Sequence, residues 1–113
     1  LETNEGIVHA ELNIGGSILM MGCEYPSLGF HSPKKYGGSP VNICVYIDDV
    51  DSIFASAIEG GGNEYSAIVD KFYGDRVGSI TDPFGHVWTI LSHIEDVSNE
   101  EMKRRIEELG DNV

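Results

Sequence analysis

The sequence predicts an α+β domain built on a mixed sheet, and three patterns predict it. Apolar and polar residues alternate from Val8 to Ile14 and again from Val41 to Ile47, the period of half-buried strands. Directly after the second stretch, Val50, Ile53, Phe54, Ala57 and Ile58 recur at helical spacing and form one apolar stripe. Three more short, apolar runs follow, separated by glycine-rich or Asp-Pro turns.

In order, Val8, Ala10, Leu12 and Ile14 alternate with His9, Glu11 and Asn13. Gly15-Gly16 then supplies a two-residue hairpin turn, and Ser17 to Cys23 is the return strand. Residues 24–40, rich in Gly, Pro and Ser, form a loop whose Leu28, Phe30 and Tyr36 are expected to pack onto the domain. Val41 to Ile47 is a strand. Asp48-Asp49 caps the following helix and sets carboxylates near the positive end of its dipole. Gly60-Gly61-Gly62 ends that helix, because a C-cap commonly needs the left-handed backbone that glycine adopts freely. Glu64 to Val69 is a strand, Asp70 to Arg76 a loop, Val77 to Thr81 a strand, Asp82 to Gly85 a tight turn and His86 to Ser92 the last strand. Ser98 and Glu101 make a capping box for a final helix with Met102, Ile106 and Leu109 as its apolar seam. The hairpin at Gly15-Gly16 and the turn at Phe84-Gly85 occupy equivalent places in two halves, a weak internal repeat.

The chain of 113 residues fits one domain, and its 41% apolar and 23% charged content is that of an ordinary globular protein. Nineteen acidic residues against 7 basic ones give a net charge of −12, which opposes binding to nucleic acid or to anionic membranes. No apolar run approaches the ~20 residues of a membrane helix. Leu1 to Gly6 is acidic and polar, unlike a secretion signal. Cys23 and Cys44 lie in apolar stretches without metal-type spacing and are read as buried thiols of a reducing compartment, the cytoplasm.

Several segments together resemble a known family. His9-Ala10-Glu11-Leu12 with its glycine pair, Glu24-Tyr25-Pro26, Gly29-Phe30, Ser32-Pro33, Gly37-Gly38, Phe72-Tyr73-Gly74-Asp75-Arg76 and Asp82-Pro83-Phe84-Gly85-His86-Val87-Trp88-Thr89 are similar to the PhnB-like branch of the glyoxalase/bleomycin-resistance/extradiol dioxygenase (vicinal oxygen chelate) superfamily. The resemblance runs nearly end to end. It implies paired βαβββ modules forming a cupped sheet, usually in a homodimer, with a small molecule in the concavity. On that scheme residues 1–40 are a first module lacking its N-terminal elements, 41–92 are a complete second module, and 93–113 are a helical tail.

The same resemblance bears on cofactors. Metal enzymes of the superfamily carry a His on each module's opening strand and a carboxylate on each closing strand. Here those positions hold Asn42 and Thr89, with Met20 as the first-module counterpart of Thr89. Amide, hydroxyl and thioether are poor partners for a hard divalent cation, so the expectation is a cup with no metal cofactor. Two functions stay open. One is a binding protein that sequesters an aromatic or polar compound. The other is a lyase or isomerase-type enzyme using His9 and Glu11, which share a strand face and could form an oriented general base or a metal site completed by residues outside this chain.

Further candidates for ligand contact are Asn42 and Tyr46 on the opening strand, Phe72, Tyr73 and Arg76 in the aromatic loop, and Trp88 and Thr89 on the closing strand. Tyr46 either donates to a ligand oxygen or closes a core edge. Phe72, Tyr73 and Arg76 either clamp a planar or anionic ligand or cover the core. Trp88 either stacks on a ligand or packs. His31, His86 and His93 sit in no ligand or catalytic spacing, and no Ser-His-Asp order, phosphate-binding glycine loop or zinc cysteine cluster occurs.

Overall fold

The computed structural model describes residues 1–4 and 6–110; Glu5 and the last three residues of the predicted tail lie outside the described part. Two short strands, β1 (Glu2–Thr3) and β2 (Gly6–Ile7), precede the hairpin of β3 (Ala10–Ile14) and β4 (Ser17–Met21). In that hairpin Glu11 pairs with Met20 and Leu12 with Leu19. The strands are shorter than the alternation suggests. Val8 falls before β3, and Gly22 and Cys23 fall after β4.

Residues 24–40 hold two turns of 3-10 helix, Pro26–Leu28 and Pro33–Tyr36, each begun by a proline and closed by a left-handed glycine. Leu28, Phe30 and Tyr36 in this segment are exposed, not packed as expected.

The second half is one βαβββ unit. β5 (Asn42–Tyr46) leads into helix α1 (Val50–Glu59), followed by β6 (Asn63–Asp70), β7 (Asp75–Thr81) and β8 (Val87–His93). The sheet order is β5-β8-β7-β6, with β5 parallel to β8 and the other neighbours antiparallel. β5 and β8 run parallel because a helix crossover separates β5 from the strands that follow. The fold is mixed α+β, as the sequence predicts.

Asp49 caps α1, its carboxylate accepting from the Ser52 N–H at 3.1 Å. The helix lays Val50 and Phe54 on the sheet, where they meet Ile80 and Ile90 with Val45, Ile68 and Trp88 around them. Close approach is possible because Gly78 has no side chain. A Cβ there would sit 2.9 Å from both the Phe54 ring and Ile68 Cγ1. The even-numbered residues of β7 and β8 therefore face the helix, and the odd-numbered ones face away.

Two boundaries differ from the sequence reading in a way that matters for function. The expected loop from Asp70 to Arg76 contracts to 71–74, because Asp70 pairs with Arg76 across β6 and β7, and Asp75 with His93 across β7 and β8. β6 also carries two register shifts, between Glu64 and Ser66 and between Ser66 and Val69.

Helix α2 (Asn99–Leu109) starts at Ser98, whose hydroxyl accepts from the Glu101 N–H at 3.2 Å. The Glu101 carboxylate turns instead to Arg104 and Arg105. None of α2 is buried, so the expected apolar seam is not its anchor. Arg105 is the tether, donating to Glu95 and to the Phe72 carbonyl.

The radius of gyration, 17.2 Å, exceeds the ~13 Å of a compact chain this long. The β3–β4 hairpin forms its own two-stranded sheet, separate from the four-stranded one. A groove of about 360 Å³ runs between its tip, Ile14 to Leu19, and β5.

Candidate functional site

The sheet face turned away from α1 is the candidate cup. Strand parity and register put Asn42, Cys44 and Tyr46 of β5 beside Val87, Thr89 and Leu91 of β8. Thr81, Ser79, Val77 and Asp75 of β7 complete the next row. The face is apolar at the buried Val77, Leu91 and Val87, carries the Asp75 carboxylate at one end, and pairs the Ser79 and Thr89 hydroxyls at 3.0 Å.

At one end this face gathers ionisable groups that are far apart in sequence. The Tyr46 hydroxyl donates to Asp75 Oδ2 at 2.6 Å. His93 Nδ1 lies 3.1 Å from Asp75 Oδ1, and its Nε2 lies 2.6 Å from Asp96 Oδ1. Asp75 is only 4% exposed, so its carboxylate depends on these partners. The bond to Asp75 holds the Tyr46 phenol above its ordinary 10.0, and Tyr73, beside the same carboxylate, is raised by burial and then by the Asp75 charge.

His93 is held above its ordinary 6.5, first by Asp96 and then by Asp75. An imidazole between two carboxylates bonds both only as the doubly protonated imidazolium. Since the folded value exceeds the unfolded one, this stabilisation is complete below about pH 6.5 and is lost as pH rises through the folded value. The melting-temperature deficit of His93→Gln is therefore expected to be greatest near pH 6 and to shrink in alkali. A deficit independent of pH would contradict the assignment.

The residues singled out from sequence divide between the two faces of the sheet. Asn42, Tyr46 and Thr89 lie on the cup face. Trp88 lies on the helix side, packed against the core, with its indole N–H donating to Asp82 Oδ2 at 2.9 Å. Asp82 Oδ1 accepts from the amides of Phe84 and His86, so this carboxylate folds the turn and fixes the indole together. Arg76 is on the helix side as well, paired with Asp51 and Asp70 at 2.9 Å each. Phe72 and Tyr73 meet edge to face at 5.1 Å in the 71–74 turn.

His9 and Glu11 do share a face, with His9 Nε2 3.7 Å from Glu11 Oε1 and both side chains about half exposed. They belong to the separate hairpin. His9 lines a groove of about 500 Å³ with Met20, Met21, Tyr25, Leu28 and Phe30. Cys44 opens onto the cup and Cys23 lies beyond the end of β4; both thiols are exposed, not buried as expected, because neither faces α1. Among the described residues, no three ligating side chains converge on a metal position, and no helix is long and apolar enough to cross a membrane.

No family model matches the chain. It is 34% identical over 108 residues to an uncharacterised protein of Mycobacterium bovis, covering 93% of this chain and 71% of that one. An uncharacterised Mycobacterium tuberculosis protein matches at 34% over the same length, and the chain spans 64% of it. Among solved structures, TioX from Micromonospora sp. ML1 superposes with a TM-score of 0.57 at 26% identity, covering 79% of this chain and 71% of that one. A glyoxalase/bleomycin resistance protein/dioxygenase from Nocardioides superposes with a TM-score of 0.56 at 18% identity, covering 86% and 74%. The chain belongs to the mycobacterial family and has the glyoxalase/bleomycin-resistance fold.

The positions that the sequence resemblance assigns to metal ligands in the four-stranded half are Asn42 and Thr89. Here one is a neutral amide, and the other a hydroxyl already paired with Ser79. The counterpart in the hairpin, Met20, is a soft thioether and 66% exposed. This donor set does not suit a hard divalent cation. The groups missed from sequence are Asp75 and His93. Their pairing across β7 and β8, and Tyr46 reaching Asp75 from β5, depend on sheet register, which local patterns do not reveal.

Proposed function

We propose that this protein is a small-molecule-binding member of the glyoxalase/bleomycin-resistance group, of its PhnB-like branch, and that its cup works without the usual metal. The observation that carries the reading is the lining of the cup face. The exposed Cys44 and Tyr46 border a groove with apolar Ile18 and Leu19, while amide and hydroxyl stand at the positions the resemblance gives to metal ligands. Such a surface suits a ring compound bearing polar groups. Arg76 is engaged by two aspartates on the other face, which argues against an anionic ligand.

We further propose that the working unit is a cytoplasmic homodimer. The hairpin presents Leu12, Ile18 and Met20 to solvent at 45%, 62% and 66% exposure, and β5 is an open sheet edge. The free thiols of Cys23 and Cys44 suit a reducing compartment.

The test is elemental analysis of the purified protein before and after addition of zinc, nickel and manganese, followed by a screen of small aromatic ligands. The expected result is no stoichiometric metal and saturable binding of at least one ring compound. One metal per chain would sink the metal-free reading and favour the alternative, a lyase or isomerase working through His9 and Glu11. Sedimentation showing only monomer at micromolar concentration would remove the dimer.

A further inference from the structure

The buried carboxylate of Asp75 decides which way the Tyr46 hydroxyl points. Asp75 is 4% exposed and in its ionised form only accepts hydrogen bonds, so the single Tyr46 proton is spent on it at 2.6 Å. The other Asp75 oxygen is occupied by His93, whose second nitrogen is occupied by Asp96. The ring nitrogens of His93 are thus both committed within the protein. With its proton committed to Asp75, Tyr46 Oη still presents its lone-pair side, on a residue 65% exposed. A phenol donating to a carboxylate is polarised and becomes a better acceptor at its oxygen. Tyr46 also lines the groove of about 360 Å³ with Ile14, Ile18 and Leu19 of the hairpin, so the acceptor stands beside apolar side chains.

We propose that Tyr46, oriented by the buried Asp75–His93–Asp96 chain, is a ligand-recognition site that selects compounds carrying a hydroxyl or amino hydrogen-bond donor on an apolar ring. The sequence left Tyr46 either donating to a ligand oxygen or closing a core edge; in this reading its oxygen accepts instead. Asp75 and His93 are positioning residues here, and only Tyr46 touches the ligand. The inference rests on the cup being a binding site and adds the class of ligand it takes.

Three probes with one shared ring test it: 4-fluorobenzyl alcohol, 4-fluorobenzylamine and 4-fluorobenzyl methyl ether, titrated at neutral pH and followed by fluorine NMR. The alcohol is expected to bind the wild-type protein about tenfold more tightly than the ether, which cannot donate; the amine is an ammonium cation at neutral pH, so it is read only by its loss of affinity in Tyr46→Phe. In Tyr46→Phe the advantage of the alcohol is expected to fall within about twofold while ether binding stays unchanged. The alcohol–ether comparison in the wild-type protein needs no variant, so it stands even if Tyr46→Phe folds poorly. Equal binding of alcohol and ether, or a Tyr46→Phe protein that keeps the full preference, would overturn the assignment of Tyr46. Binding of none of the three would overturn the cup reading, and this inference with it.

Discussion

Phe54→Ala is expected to destabilise the protein by about 3–5 kcal/mol, read from the urea midpoint of unfolding at unchanged slope. The ring is 9% exposed and lies between α1 and the sheet, where it meets Ile80 and Ile90 and fills the space that Gly78 leaves open. Removing it deletes buried apolar area and leaves a cavity that a glycine on the facing strand cannot fill. Since domains of this size are stable by only about 5–15 kcal/mol, the variant is expected to be partly unfolded near body temperature. Phe54→Leu keeps most of the volume and should lose about 1.5 kcal/mol or less. A loss below 1 kcal/mol for the alanine variant would show that α1 does not seat on the sheet as described.

Gly74→Ala is expected to cost about 2–4 kcal/mol, through two independent causes. Gly74 has φ +94°, a backbone conformation that an L side chain resists. A Cβ would also collide with the Glu95 carbonyl oxygen and come 3.1 Å from Val97 Cγ2. The Glu95 backbone has little room to retreat, because the Ile94 and Glu95 amides both donate to the Gly74 carbonyl, at 2.9 and 3.1 Å. Hydrogen exchange should locate the damage: the Ile94 and Glu95 amides lose protection before the strands do. Unchanged protection at both amides would count against the clamp between the 71–74 turn and the segment after β8.

Residue patterns show the scaffold more readily than the site. The alternation around Asn42 to Tyr46, the stripe from Val50 to Ile58 and the Asp82-Pro83 turn are local, and each element forms where its pattern lies. Tyr46 and Thr89 could be placed on a shared face because strand parity is also local. The Asp75–His93 contact could not, since it depends on how β7 registers against β8 across 18 residues of chain. Arg76 was expected in a loop, but strand pairing extends through it, and α1 brings Asp51 within reach. Trp88 sits one position from Thr89 and so faces the opposite side of the sheet. Leu28 and Phe30 misled for a different reason. Their apolar character is plain, but nothing in a sequence says that they will stay exposed.

The two register shifts in β6 have a consequence for solubility. β6 is an eight-residue edge strand with Tyr65 and Val69 63% and 45% exposed, the kind of border on which misfolded chains stack. Each shift breaks the even spacing of amide and carbonyl groups that an incoming strand must match. That border is therefore a poor template for runaway assembly. β5 pairs with β8 in unbroken register, so its outer side keeps the even spacing that a further strand would need to join.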